Sequence, residues 1–248
     1  VRYFFEIAYH GGKYNGWQSQ QNAIGVQTIV ENVLTRIFRT PVSITGSGRT
    51  DTGVHCEQQF FHTDLSREID VPLLIQKLNS FLPRDIAIHS IKPVQSDASA
   101  RYDAVERTYR YQMTQIKNPF LQGLSWHYFK TLDIENMNRA AALIVGEHDF
   151  ECFSKVKTDV NHFICQVRKA GWTQKGHELI FTISANRFLR GMVRAITGTL
   201  LDVGTGKITH KDFVSILHSR DRKKAGANVP ALGLYLARVK YPARIFIK

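Results

Sequence analysis

A chain of 248 residues, 43% of them hydrophobic, is long enough to bury a sizeable core as one large domain or two small ones. Its 33 Lys and Arg against 21 Asp and Glu give a net charge of +12, which disfavours a small neutral substrate and favours a polyanionic partner. Cys56, Cys152 and Cys165 are odd in number and lack CxxC or metal-ligand spacing, which argues against a disulfide framework, and no apolar run reaches the roughly 20 residues of a membrane span.

Residues 2 to 9 are rich in aromatic and aliphatic side chains and stop at Gly11-Gly12, which reads as a strand and a turn. In the loop Tyr14-Asn15-Gly16-Trp17-Gln18 the aromatic rings read as half-buried packing rather than as a platform for a base. Val26, Ile29, Val30, Val33, Leu34, Ile37 and Phe38 follow helical spacing and predict an amphipathic helix on a sheet. A strand at 42 to 46, a Gly-rich loop and a strand near 57 to 62 come next. A helix from 71 to 81, with Asp70 as N-cap and Pro72 in its first turn, leads to a strand over Ile86 to Ile91. This strand, helix, strand, strand, helix, strand order is the split βαβ arrangement of ferredoxin-like folds. The polar link Gln95 to Ala100 then suggests a boundary, with residues 1–95 as an N-terminal lobe and 96–248 as a C-terminal lobe.

The second half repeats the order. A strand from Glu106 to Thr114 precedes a helix over Ile134 to Val145 and a hairpin pairing 163–172 with 178–185 across Lys175-Gly176. A helix from Arg187 to Val203 ends at Gly204, a short helix spans 210–219, and Leu232 to Tyr241 is a closing strand. The expected fold class is therefore α+β: two ferredoxin-like (βαββαβ) lobes with antiparallel sheets and an active-site cleft between them. The thiols read as reduced and the start, Val1-Arg2-Tyr3-Phe4, is strand-like rather than a signal peptide, so a soluble cytoplasmic protein without a membrane partner is expected.

The most distinctive stretch is Gly46-Ser47-Gly48-Arg49-Thr50-Asp51-Thr52-Gly53-Val54-His55, which joins two strand-like runs. Its glycines mark a sharp bend or a close approach, and it gathers a carboxylate, a guanidinium and an imidazole. Asp and Gly also form ordinary turns. An aspartic protease would need a second such carboxylate, and a phosphate-cradling P-loop would need Gly-Lys-Ser or Gly-Lys-Thr opening a helix. Helical spacing places Arg187, Arg190 and Arg194 along one face opposite Leu189, Val193, Ile196 and Leu200, with no acidic residue in the helix before Asp202. Three such guanidinium groups call for anions, either a substrate phosphate or a carboxylate. In the strand Arg107-Thr108-Tyr109-Arg110-Tyr111 the two tyrosines share one side, as core rings or as a surface for an extruded base. The ten histidines are scattered without metal-ligand spacing, so no metal site is expected. From Lys207 onward ten basic residues face two acidic ones, which makes this the first place to seek a phosphate track.

The segment Gly48-Arg49-Thr50-Asp51-Thr52-Gly53-Val54-His55 resembles the Gly-Arg-Thr-Asp-Ala-Gly-Val-His signature of the TruA-type tRNA pseudouridine synthases, with Thr52 in place of Ala and Cys56 following the His. Tyr14-Asn15-Gly16-Trp17-Gln18, the tyrosine strand, Asn186 to Arg194 and Gly233-Leu234-Tyr235-Leu236 resemble four further elements of that family, in the same order. The resemblance implies isomerisation of uridine to pseudouridine on the 3′ side of the tRNA anticodon stem-loop. The N1 to C1′ bond breaks, the uracil turns over and C5 bonds to C1′, with no cofactor. The target base is flipped from its stack. By the same resemblance Asp51 is the nucleophile or the base that starts elimination, and Arg194 pairs with it. Tyr109 stacks on the flipped uracil, Arg49 contacts a phosphate, Leu234 supplies an apolar wall, and the protein acts on tRNA as a homodimer.

Two other classes compete on composition. Paired α+β lobes with positive charge would suit a non-catalytic RNA-binding protein, but the aromatic RNP1 pattern is missing and a carboxylate in the central loop would repel phosphate. A phosphate-ester hydrolase using Asp51 would need acidic metal ligands that the loop does not provide.

Overall fold

The computed structural model of the chain describes residues 1–20, 23–66, 68–156 and 160–247. Its strands and helices run β1 (Arg2–Tyr9), α1 (Val26–Phe38), β2 (Thr45–Gly46), β3 (His55–Asp64), α2 (Val71–Phe81), β4 (Ile86–Pro93), β5 (Glu106–Thr114), β6 (Trp126–His127), α3 (Ile134–Ala142), β7 (Gly146–Asp149), β8 (Ile164–Lys175), β9 (Glu178–Ala185), α4 (Met192–Gly204), α5 (His210–His218) and β10 (Leu234–Lys240). This is a mixed α+β chain whose strand pairs are mostly antiparallel. It divides into two compact units, Val1–Val105 with Tyr235–Lys248, and Glu106–Leu234. The last segment thus folds with the first unit, unlike the single cut near residue 95 that the polar link suggested.

In the first unit β1 lies between β4 and β3, antiparallel to both, and β3 shares its other edge between β2 at Phe61–His62 and the parallel β10 at His55–Cys56. Phe5 and Phe61 face each other across β1 and β3 with ring centroids 4.8 Å apart. Full burial of such a ring contributes about 2–3 kcal/mol. Helix α1 buries Val26, Val30 and Leu34, and α2 buries Leu74 and Leu78. Asp70 caps α2 as expected, its side chain accepting the Leu73 N–H at 3.0 Å.

The strand expected over 42–46 shrinks to Thr45–Gly46. Side chains have taken the backbone that a longer ladder would use: Thr35 and Glu31 of α1 accept the Val42 and Ile44 N–H groups, and Thr63 donates to the Ser43 carbonyl. A related device closes the irregularity between β1 and β4, where the register shifts between Glu6 and Ile7. There the Asn79 side-chain amide of α2 both donates to the Ile88 carbonyl and accepts its N–H, at 2.8 and 2.7 Å.

In the second unit the strand order is β5-β9-β8-β7, antiparallel throughout, with the short β6 parallel to the end of β5. The expected hairpin is present and longer, β8 running to Lys175 before Gly176 turns at φ 58°. Asn138 of α3 repeats the role of Asn79, bonding both backbone groups of Trp172 on β8. Helix α4 differs from expectation. It begins at Met192, with Gly191 left-handed at φ 74°, so Arg187 and Arg190 precede it and do not share a helical face with Arg194. Nor is it amphipathic: every residue of α4 except Arg194 and Asp202 is buried. Gly198 permits this, because a Cβ there would stand 1.9 Å from the Ala227 carbonyl oxygen of the segment crossing the helix.

At the far end of β3 the half-buried His62 accepts the Ala100 N–H on Nδ1 at 3.0 Å. Burial, and then the neighbouring Arg2, hold its pKa below the usual 6.5, with Asp64 and Asp103 opposing. The unfolded chain therefore binds more protons below pH 6.5 than the folded one, so this contribution to stability is present above 6.5 and is lost as the pH falls. His62→Asn keeps an acceptor but cannot titrate. Between pH 7 and about 5 the wild-type melting temperature should fall further than that of His62→Asn, measured by thermal melts across the range.

Candidate functional site

The Asp51 loop is held by the chain between Tyr9 and Gln18. Trp17 N–H donates to the Thr50 carbonyl at 3.4 Å, Gly53 N–H to the Tyr14 carbonyl at 3.2 Å, and Val54 N–H closes the turn on the Asp51 carbonyl at 3.1 Å. Two glycines make the approach possible. Gly16 sits at φ 79°, where a Cβ would lie 2.1 Å from the Thr50 carbonyl oxygen, and a Cβ on Gly11 would lie 1.9 Å from that of Val54. Gly53 takes φ 78° at the third position of the turn, which glycine fills without steric cost.

Behind the loop runs a buried polar chain. Tyr9 donates its hydroxyl to Gln59 Oε1 at 3.0 Å and therefore accepts from Thr50 Oγ1 at 2.9 Å, while Gln59 Nε2 donates to the Gly48 carbonyl at 3.0 Å. Residues 48 and 50, on either side of Arg49, are thus fixed from within the core. His55, also buried, accepts the Gly11 N–H on Nδ1, which fixes the proton of the neutral ring on Nε2. Its ring stacks on Tyr235 at 4.7 Å and tilts against His10 at 4.4 Å. Tyr14 and Trp17 are packing residues, both buried, with the Tyr14 hydroxyl donated to Asp85 at 2.5 Å. What the loop leaves toward solvent is the half-exposed Asp51 and the exposed Arg49, whose Nε donates to Gln18 Oε1 at 3.2 Å.

The other residues singled out by sequence stand in the second unit. Tyr109, on β5 opposite Ile183, is half-buried and meets Phe188 edge to face at 5.0 Å. Tyr111 is a core ring with its hydroxyl on the Pro230 carbonyl at 2.8 Å, and burial pushes its pKa above the ordinary range while Arg194 opposes that rise. Arg194 itself donates Nε to the Val229 carbonyl at 2.7 Å. Leu234 is buried at the start of β10. Arg187 bonds to His162 rather than joining Arg194.

Among the described residues no group of three or more His, Cys, Asp or Glu could hold a metal ion, and no helix is long and apolar enough to cross a membrane. The three cysteines are buried and free. Burial raises the Cys165 thiol to about 11 and the Cys152 thiol to about 12, and lifts that of Cys56 as well, so none carries much thiolate near neutrality. Tyr9 and Gln59 were not singled out by sequence, because their importance depends on a register that brings β1, β3 and the loop together.

The sequence profile described as tRNA pseudouridine synthase matches residues 7–103 and 140–242. Three relatives extend the likeness over the full length. tRNA pseudouridine synthase A of Porphyromonas gingivalis is 47% identical over 252 residues, covering 100% of both chains. That of Parabacteroides distasonis is 46% identical, covering 99% of this chain and 98% of its own. That of Bacteroides fragilis is 43% identical over the same shares. The chain belongs to the tRNA pseudouridine synthase family. It is therefore an isomerase, forming pseudouridine from uridine in tRNA.

Gly16→Ala tests how far the loop depends on this approach, since the obstructing atoms are backbone and cannot swing aside. It should cost at least about 1–3 kcal/mol and lower turnover in the fraction that stays folded. Gly48→Ala, where a Cβ meets nothing within 4 Å, should change the melt little. Thermal melts and pseudouridine yield on both variants check this.

Proposed function

We propose that Asp51 is the catalytic carboxylate of this synthase, acting as nucleophile or as the base that opens an elimination. The observation that carries the proposal is the contrast within one loop: the backbone from Gly48 to Val54 is locked by buried bonds, while the Asp51 side chain is only half-buried. A preorganised carboxylate can meet a reacting carbon without first being ordered. The reaction moves C1′ from N1 to C5 of the same uracil, so the C5 proton is lost and N1 gains one. It needs neither an electron acceptor nor a transferred group.

Arg194 is proposed to pair with Asp51 and keep it ionised, since a guanidinium nearby favours the charged form. Tyr109 is assigned to the flipped uracil as a stacking partner, Leu234 to its apolar wall, and Arg49, exposed beside Asp51, to a phosphate of the extruded nucleotide. The two compact units would correspond to ferredoxin-like lobes flanking the active-site cleft, a reading supported in the first unit by the antiparallel neighbours β4, β1, β3 and β2. The substrate uridines are proposed to lie on the 3′ side of the anticodon stem-loop, and the working form in the cytoplasm to be a homodimer without cofactor.

Asp51→Asn is nearly isosteric and forms the same turn, but it neither attacks carbon nor readily accepts a proton. Pseudouridine should become undetectable after long incubation while tRNA binding and the melt stay near wild type, as phosphate contacts elsewhere supply most of the affinity. A folded, tRNA-binding variant that still makes pseudouridine sinks the assignment.

The phosphate track is narrower than the basic run suggests. Lys207 pairs with Asp202, Arg220 with Asp149, and Arg222 donates to the Ala225 and Gly226 carbonyls and to Asn228, while Lys248 lies outside the described residues. Lys223 and Lys224 are exposed side by side. Lys223→Gln with Lys224→Gln should reduce the slope of log affinity against log salt by about 1.5, measured by tRNA titration at several ionic strengths.

A further inference from the structure

Tyr9 of β1 and Gln59 of β3 bring a hydroxyl and a carboxamide into the core of the first unit, where both side chains are buried and β3 continues with the buried rings of Phe60 and Phe61. Apolar side chains of the same shape would pack the two strands as well, because a buried polar group is tolerated only while its hydrogen bonds are made. What the polar pair does beyond packing is reach the loop. Thr50 Oγ1 donates to the Tyr9 hydroxyl at 2.9 Å, that hydroxyl donates to Gln59 Oε1 at 3.0 Å, and Gln59 Nε2 donates to the Gly48 carbonyl at 3.0 Å. The chain runs in one direction and closes on the loop it starts from, two residues back.

Both intermediates of the chain are fixed by the sheet, Tyr9 opposite Cys56 and Gln59 opposite Ile7. The Tyr9 ring is also stacked on Trp17 at 6.2 Å, and the backbone N–H of Trp17 donates to the Thr50 carbonyl. Thr50 is the link to the chemistry. Its side chain is buried while that of the next residue, Asp51, is only half-buried, so the peptide between them sets the direction in which the carboxylate leaves the loop. If the Thr50 hydroxyl bond were lost, that peptide would still have the Trp17 bond, which is long at 3.4 Å.

We propose that Tyr9 and Gln59 are positioning residues for pseudouridine formation: through Thr50 and Gly48 they hold the Asp51 carboxylate in the orientation from which it reacts. The proposal rests on the reading of Asp51 above. Both side chains are buried, so their effect passes through the loop backbone. A displacement of about 1 Å at a reacting group costs on the order of 100-fold in rate. Phosphate contacts elsewhere keep the tRNA bound meanwhile. Breaking the chain therefore slows the reaction of bound tRNA and leaves its affinity unchanged.

The test uses the full chain in saturating excess over an unmodified tRNA transcript, so that a single turnover reports the folded enzyme and an unfolded fraction does not enter the rate constant. Tyr9→Phe, Gln59→Met and Thr50→Val each break the chain, and Thr50→Ser keeps it. The rate constant should fall about 10- to 100-fold in the first three and stay within about threefold of wild type in Thr50→Ser. The double variant Tyr9→Phe with Thr50→Val should be no slower than the slower single variant, because both remove the same link. The tRNA Kd from fluorescence anisotropy should stay within about twofold throughout. A wild-type rate constant in folded Tyr9→Phe or Thr50→Val overturns the proposal, as do losses that multiply in the double variant or a weakened Kd that accounts for the slower reaction. Thr50→Val keeps the side-chain shape at the loop end and decides alone if the core variants fail to fold. An Asp51→Asn variant with the wild-type rate constant would instead remove the reading beneath the proposal, so the two failures are distinguishable.

Discussion

The approach of Gly16 to the backbone of Thr50 and Asp51 is the contact on which the candidate site depends. Two backbone segments that close leave no room for a Cβ, and the positive φ at Gly16 adds a second reason for glycine there. Once the segments touch, the rest follows in order. Trp17 and Tyr14 bond to the loop backbone through their own N–H and carbonyl groups, and the Tyr9 hydroxyl reaches Thr50 and Gln59. Each of these polar groups is buried or nearly so, where an unmade hydrogen bond would cost about 1–3 kcal/mol. A register slip between β1 and β3 would break several of them together, so the loop geometry and the sheet pairing support one another.

The second unit solves a similar problem around α4. A helix buried on nearly all sides needs neighbours on every face, and the segment 222–230 supplies one of them by crossing at Gly198. That crossing is tied at several points. Gly226 N–H donates to Thr199 Oγ1 at 2.8 Å, Arg222 gathers the Ala225 and Gly226 carbonyls, and Arg194 and Val229 exchange bonds in both directions. Arg194 therefore has a structural task as well as the catalytic one proposed for it, and its Nε is occupied by the Val229 carbonyl.

Membership of the tRNA pseudouridine synthase family sets the scale of the substrate, and a net charge of +12 suits a polyanion. Charge alone does not mark where the RNA runs. Several cations of the basic C-terminal region are spent within the protein, on Asp202, on Asp149 and on the carbonyls of the crossing segment. The buried cysteines, with thiols raised by desolvation, contribute no competing nucleophile.

The sequence by itself determined most of what local periodicity encodes. The stripe of α1, the helix over 71–81 with its Asp70 cap, the β8–β9 hairpin and the alternation of strand and helix were legible because each depends on residues a few positions apart. The Asp51 loop stood out for the same reason, through its glycines and its mix of charged groups, and five short stretches in order were enough to indicate the family. Tertiary structure decided what depends on distant partners. Residues 42–44 leave the sheet because Thr35, Glu31 and Thr63 claim their backbone, and α4 starts at Met192 because Gly191 turns left-handed where the arginine spacing had suggested helix. Arg222 is drawn inward by carbonyls that come near it only when the segment folds over α4, and the segment from Tyr235 to Lys248 joins the first unit across more than 100 residues of intervening chain. Propensity and pattern act over a turn or a strand, whereas a carbonyl, a carboxylate or a vacant sheet edge far along the chain becomes a partner only once the fold has brought it within hydrogen-bond reach.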